Sequence, residues 1–401
     1  MKGQLGQPGL EHGRRSRVGP VALVFVANGF GGPSFLARLP ERQHDLGLSE
    51  GRLGLVVAGM GLGAMLASVG AGRLVERTGS RAVVAASAIA LGACLWSVGA
   101  APNALALFLA LMVVGAADAA MDIAMNANGA LYEHRSGRSV MHRLHAAWSL
   151  GALSAAGVAS VAAGFDVPLT VHMAVIGAAI VAVGLMARRA LEPGNVVLEP
   201  VAEAGGSADS GAAAPLRSRR WVHGVGILAA ATIGGAMLEG APSDWAAVRI
   251  QQFGVASWVP ALGFAAFMAG MLAGRAVGDH LTDRYGGAAV LRFGTALAAA
   301  GFVFGALIAH PATFMVGLAV AGFGASAFFP LAFSAASRTP GVAPGVGAAA
   351  VSLAARIGFL VEPILVGGLA ELIGLRGGFV LVAGVAVVLS IAAPRIIPPS
   401  R

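Results

Sequence analysis

VVGAADAAMDIAMNANGALYEHRSGRSVMHRLHAAW, residues 113–148, sets charge inside a run that is otherwise apolar. Asp118 and Asp122 stand four residues apart, and Asn126 follows after four more. On a helix each step of four overshoots a full turn by only about 40°, so the three side chains share one face. Residues 103–117 before them are apolar enough to lie in lipid. A charged side chain near a bilayer centre costs at least about 2.5–3.5 kcal/mol, so such groups usually face a bundle interior or a water-filled path. Two readings are open. The pair sits at a helix end wetted by headgroups, or it forms a polar stripe on a pore or substrate path. The second is the working reading, with Asn126 and Asn128 on the path.

Composition points the same way. Hydrophobic residues make up 57% of 401 and charged residues 11%, with a mean hydropathy of +0.79, whereas a soluble domain carries about 25% charged residues. So much apolar surface cannot be hidden from water, and the chain belongs in a lipid bilayer. A net charge of +8 would suggest nucleic acid in a soluble protein. There is no basic helix and no aromatic–basic interleaving here, which excludes that partner. Cys94 is the single cysteine, so no disulfide or thiolate metal site forms within one chain. The first apolar run follows Arg14, Arg15 and Arg17 and could pass for a signal peptide. It is long for one and many similar runs follow, so it reads as an uncleaved first helix.

At about 20 residues per crossing, the first half gives spans at 19–39, 53–72, 82–100, 104–128, 140–163 and 167–187. The second gives 222–247, 258–277, 288–309, 312–336, 346–369 and 374–393. The expectation is an all-α polytopic membrane protein of twelve transmembrane helices. Residues 1–18 form an N-terminal arm, 19–187 and 222–394 two six-helix halves, and 395–401 a tail. Residues 188–221 hold Glu192, Pro193, Glu199, Glu203, Gly205, Gly206, Asp209 and Pro215, a composition expected to form a flexible linker. With the N-terminus inside, 21 of the 27 Lys and Arg fall in cytoplasmic segments and five outside, while Arg356 lies within a span. Arg275, Arg284 and Arg292 are counted together after the eighth span. The bias predicts a multi-pass protein of the cell (inner) membrane with arm, linker and tail cytoplasmic.

The chain also repeats itself. Gly72-Arg-Leu-Val-Glu76-Arg77-Thr-Gly79 follows the second span, and Asp279-His-Leu-Thr-Asp283-Arg284-Tyr-Gly286 follows the eighth. Both read x-x-Leu-x-acid-Arg-x-Gly, 207 residues apart. The terminal glycines permit a left-handed turn, and the acid and arginine can pair with each other or with a helix end. Two copies at corresponding loops indicate a parallel internal repeat. These eight positions are expected to gate the cytoplasmic side.

The layout and the duplicated loop resemble the major facilitator superfamily, whose signature loop reads Gly-x-Leu-x-Asp-Arg-x-Gly. The first copy has Glu76 for the aspartate, and the second has Asp279 for the first glycine with Gly278 beside it. Two stretches resemble its fucose-permease-like branch: Asp122-Ile-Ala-Met-Asn126, and Gly137-Arg-Ser-Val-Met-His-Arg-Leu-His145-Ala-Ala-Trp148-Ser-Leu-Gly. The resemblance implies two halves related by an axis along the membrane normal. It also implies secondary active transport of a small, sugar-like solute by alternating access, by a monomer without cofactor. In that branch the fourth-helix acid carries the coupled proton, which maps to Asp122, with Asp118 beside it. The branch's first helix has an acid after Val-Ala-Asn; here Val26-Ala27-Asn28 runs into Gly29-Phe-Gly-Gly32-Pro33.

Other polar groups extend the candidate path. Span seven holds Glu239 and Asp244-Trp245, and span eleven holds Arg356 and Glu362-Pro363. Six residues is about 240° of rotation, which keeps Arg356 and Glu362 apart. Arg356 is expected to pair across helices with Glu239 or Asp122, either as a structural ion pair or within the transport path. Glu362 is expected at a proline kink or near the membrane edge. Trp148, one turn from His145, either stacks on a solute ring or packs. His142 and His145 lack a third ligand, so no metal is expected. Among other classes, an intramembrane aspartyl protease would need Gly-x-Gly-Asp, and Ala276-Val-Gly-Asp279 lacks the first glycine; no enzyme is expected. A proton-antiporting efflux pump and a non-transporting receptor or scaffold are the alternatives.

Overall fold

The computed structural model describes residues 18–136, 140–193, 219–337 and 344–397, and they are helical almost throughout. The N-terminal half contains α1 (Val18–Leu36), α2 (Leu39–Asp45), α3 (Glu50–Thr78), α4 (Ser80–Ala100), α5 (Ala104–Ser136), α6 (Met141–Gly164) and α7 (Leu169–Arg188). The C-terminal half contains α8 (Arg219–Gln251), α9 (Ala261–Tyr285), α10 (Gly287–Leu307), α11 (Pro311–Ala325), α12 (Phe328–Ser337) and α13 (Pro344–Ile396). Among the described residues, ten helical stretches are long and apolar enough to cross a membrane. That number counts α13 once, although Gly374 (φ 78°, ψ 164°) divides it into two limbs, and it omits α8, which carries Glu239, Asp244 and Arg249. Adding α8 and the second limb gives the twelve crossings expected.

Several span ends differ from expectation, and where a helix runs past its expected end the reason is that an apolar window stops near charged residues, whereas a helix does not. α5 continues two turns past Asn128, and α8 runs on through Pro242 to Gln251. The first span ends at Leu36 and the chain turns into the short α2, with Pro40 in its first turn. The tenth crossing is broken between α11 and α12.

The internal repeat extends well beyond the loop. Gly79 closes α3 and opens α4 at φ 84°, ψ 148°; Gly286 does the same between α9 and α10 at φ 83°, ψ 149°. Their N–H groups donate to Val75 O at 2.9 Å and Thr282 O at 2.8 Å, residues 207 positions apart. The conformation is positive in φ but extended in ψ, a region open only to glycine, rather than the left-handed helical turn expected.

Helix crossings follow the same register. A Cβ on Gly63 would meet Met112 O at 1.8 Å, and one on Gly270 would meet Ala319 O at 1.9 Å. In the reciprocal contacts, Gly115 faces Met60 O at 1.9 Å and Gly322 faces Phe267 O at 2.1 Å. All four glycine–carbonyl pairs match at the 207-residue offset. Glycine there lets α3 touch α5, and α9 touch α11, backbone to backbone.

Within each half the fifth crossing packs on the first: α6 on α1, and the first limb of α13 on α8. Between the halves, α3 packs on α13 and α6 on α9. Four of the described hydrogen bonds joining the halves lie at the end that carries α2, while Arg275–Ser149 and Arg356–Ala64 join them at the central cavity. Gly51 N donates to Glu371 Oε2 (2.7 Å), Gln252 Nε2 to Glu50 Oε1 (3.0 Å), Ser160 Oγ to Trp258 O (2.8 Å) and Ser257 Oγ to Ala163 O (3.0 Å). At the other end, where the repeated loops lie, Arg77, Asp283 and Arg284 make no ion pair within 4.0 Å among the described residues. Arg284 instead stacks on Tyr285, 5.4 Å from its ring centroid.

Of the arm, residues 1–17 lie outside the described residues, as do 194–218 of the linker and 398–401 of the tail. The residues just after α7 are packed. Leu191 is buried and its carbonyl accepts from Arg81, while Glu192 pairs with Arg135 at 2.9 Å.

Candidate functional site

Between the halves lies a cavity of about 310 Å³ that gathers the intramembrane charges. From the N-terminal half it takes Asn28 of α1, Met60 and Ala64 of α3, Asp118 and Asp122 of α5, and Trp148 of α6. From the other half come Glu239, Ser243 and Asp244 of α8, Phe267 and Met271 of α9, and Arg356 and Phe359 of α13. Helical spacing is what aligns Asp118 with Asp122, and Glu239 with Ser243, on one face each.

The aspartates are held differently. Asn28 Nδ2 donates to Asp118 Oδ1 at 2.9 Å, and the Asn28 side-chain carbonyl oxygen accepts from Trp148 Nε1 at 2.9 Å. Asn28 therefore ties α1 to both α5 and α6. Asp122 Oδ1 accepts from Asn126 Nδ2 at 2.9 Å, one turn along the same helix. Asp118 is thus a member of the cavity network.

Arg356 is half-buried, and its charge acts on both aspartates across the cavity. It makes no ion pair within 4.0 Å among the described residues, and its Nη1 points at Ala64 O at 3.4 Å. The expected pairing with Glu239 is corrected: Glu239 faces Arg275 of α9, 3.8 Å from Oε1 to Nη2. Arg275 also donates from Nη1 to Ser149 Oγ of α6 at 2.8 Å, so it bridges the halves. It therefore does not belong with the loop arginines. Its distance from Arg284, nine residues or about 13 Å along a helix, is the signal in the sequence that it lies inside.

Other expected path residues lie elsewhere. Asn128 is fully buried and structural: it donates to Ser80 Oγ at 2.8 Å and to Glu192 O at 3.1 Å, pinning the exit of α7 to the start of α4. Asn126 serves Asp122 and does not line the cavity. His145 packs edge-on to Phe25, ring centroids 5.5 Å apart. Trp245 is 1% exposed and packs beneath Gly367 of α13. Glu362 lies in the first limb of α13, with Pro363 after it inside the helix. It is fully buried behind the cavity wall, over Gly240. Among the described residues no group of three His, Cys, Asp or Glu side chains could hold a metal ion.

Comparison with known proteins agrees with this architecture. The sequence matches the family described as Major Facilitator Superfamily over residues 21–274 and 246–401. It is 30% identical over 386 residues to an uncharacterized MFS-type transporter of Yersinia pestis, covering 95% of this chain and 94% of that one. It is 28% identical over 384 residues to the membrane protein MosC of Rhizobium meliloti, covering 95% and 90%. Among solved structures, the nucleoside transporter NupG superposes with a TM-score of 0.72 at 15% identity, covering 96% of this chain and 100% of that one. A bacterial homologue of the human lysosomal transporter Spinster, inward-facing and occupied, gives 0.70 at 14% identity, covering 95% and 96%. At such identities the two structures speak for the fold alone. The two six-helix halves, the loop repeated between them and the full-length match place this chain in the Major Facilitator Superfamily, as a transporter.

Proposed function

We propose that this chain carries a small polar solute, sugar-like in its hydroxyl groups, across the inner membrane by alternating access, coupled to protons through Asp122 with Asp118 as its neighbour. Residues of the fucose-permease-like pattern supply this reading, and the NupG and Spinster likenesses are compatible with it. The observation that carries it is the cavity between the halves, with two aspartates on one wall and Arg356 on the other. A cation facing a carboxylate across a closing cavity is a two-state element. When Asp122 is ionised it attracts Arg356; when it is protonated the attraction is gone and the halves are free to part. With the termini and the repeated loops on the cytoplasmic side, as the arginine bias predicts, the four bonds joining the halves at the α2 end support an inward-facing reading.

A second reading, proton-driven efflux of an apolar compound, draws on Phe264, Phe267, Met268 and Met271, which line the α9 side of the same cavity. A thermal-shift screen of sugars, nucleosides and hydrophobic amines on purified protein identifies the solute, since a ligand stabilises the state it binds. In proteoliposomes, Asp122→Asn should lose proton-driven accumulation yet keep solute exchange, which needs no net proton movement, while Asp118→Asn retains part of the coupling. Accumulation by Asp122→Asn equal to wild type refutes the assignment. Solute moving against the proton flow favours the second reading.

A further inference from the structure

The C-terminal half holds a second acidic pair, which the scheme above does not use. Asp244 of α8 and Glu362 of α13 have neighbouring carboxyl groups where these helices pack, and Trp245 borders Glu362. Gly240, one turn before Asp244, makes the room: a Cβ there would stand 3.0 Å from Glu362 Oε2. Asp244 is 8% exposed and reaches the cavity wall; Glu362 is 0% exposed. Neither oxygen of the Glu362 carboxyl meets a hydrogen-bond partner of good geometry, and neither does Trp245 Nε1.

The cations of the surrounding helices are paired or placed elsewhere, Arg52 of α3 being exposed. On α9, Arg275 serves Glu239 and Ser149. On α13, Arg356 lies about 240° around the helix from Glu362, across the cavity from the α5 aspartates and against Ala64 O, and Arg376 donates to Ala306 O and Leu307 O. On α8, Arg249 stacks over Phe253 and donates to Gln252. On α2, Arg42 pairs with Asp45, and Arg38 just before it pairs with Glu41. The nearby carboxylates at the start of α3 and on α13 are also occupied, Glu50 by Gln252 and Glu371 by the Gly51 amide. Two neighbouring carboxyl groups, shielded from water and without a cation, cannot both be ionised. Two carboxyls and an indole offer too few oxygens for a hard metal ion, which takes about six or more.

We propose that Asp244 and Glu362 form a proton-binding site of the C-terminal half, distinct from Asp118 and Asp122. Glu362 carries the proton, being the deeper group, and Asp244 exchanges it with the cavity. The corresponding helices of the N-terminal half, α1 and α6, are joined at the cavity by the neutral Asn28–Trp148 hydrogen bond. One half thus locks its first and fifth crossings permanently, and the other locks them through a proton. The site's part in transport rests on the proton-coupled reading above, but its occupancy does not.

The test reads the proton directly, on the full chain and without a solute. Infrared spectra of the purified protein in lipid nanodiscs, recorded as pH is stepped, contain the C=O stretch of protonated carboxyls apart from carboxylate bands. Wild type should show this band at neutral pH, and an Asp118→Asn/Asp122→Asn double variant should retain it. Glu362→Gln should lose the intensity of one carboxyl, and Asp244→Asn should shift the band. If Glu362→Gln does not fold, Glu362→Asp replaces it and should move the band's frequency. Absence of the band in wild type, full intensity in Glu362→Gln, or an unmoved frequency in Glu362→Asp overturns the site. Absence of the band in wild type with its proton-driven accumulation intact strikes this site alone. An intact band with no proton movement in wild-type transport strikes the coupled reading and leaves the site standing.

Discussion

Replacing Gly63 by alanine adds one methyl group where α3 touches α5, and the structure states what that methyl meets. Its Cβ would lie 1.8 Å from Met112 O, while real Cβ contacts essentially never fall under 3.0 Å, so the helices must part by at least about 1.2 Å there. Overpacking of that kind costs about 1–3 kcal/mol. A unit the size of one half loses about 2–4 °C of melting temperature per kcal/mol, so a drop of several degrees is expected. Gly72→Ala is the control, because nothing lies within 4 Å of the added carbon. Thermal unfolding of the purified proteins in one detergent reads both. Gly270→Ala, with Ala319 O at 1.9 Å, should fall by a similar amount, and the Gly63/Gly270 double variant should show the sum, since the sites share no partner. Gly63→Ala melting with Gly72→Ala refutes the close-contact argument. A costly Gly63→Ala beside a harmless Gly270→Ala refutes the equivalence of the halves.

Gly79→Ala and Gly286→Ala should each cost about 1–3 kcal/mol through backbone strain rather than crowding, measured by the same melts; at Gly286 the new Cβ meets nothing within 4 Å, so a neutral result there removes the strain account. Arg275→Met should destabilise by leaving Glu239 without its cation, and adding Glu239→Gln should recover part of the loss; strict additivity in that cycle shows the pair is not coupled. Asp283→Arg should slow turnover while solute affinity stays within a few fold, because the repeated loop lies far from the cavity; a large affinity loss in a well-folded variant counts against a gating role.

Some of this is readable in the residues and some is not, for physical reasons. Apolar runs of about 20 residues announce crossings because lipid demands them, so the two sets of six can be counted. Gly79 and Gly286 are legible because a glycine after charged helix ends has few other uses. Partners across helices are not legible. Glu239 could meet Arg356 or Arg275, and only the packing of α8 on α9 selects Arg275. Asn128 differs from Asn126 by two positions, about 200° of rotation, which turns one asparagine towards Ser80 and the α7 exit and the other towards Asp122. The burial of Glu362 escapes the sequence because a following proline says nothing about which neighbours cover the side chain.

The glycine–carbonyl contacts also carry a history. Gly63, Gly79 and Gly115 recur at Gly270, Gly286 and Gly322, each at the same offset, so the stretch from α3 to α5 and its counterpart from α9 to α11 have the same number of residues between these marks. If the two halves descend from one duplicated ancestor, insertions and deletions in this interval have left no net change. The reason is mechanical: a one-residue slip of either helix would drive a side chain into a carbonyl oxygen. Loops outside these marks are under no such ruler. New domains or tags are therefore better tolerated in the 194–218 stretch than anywhere between Gly63 and Gly115 or between Gly270 and Gly322.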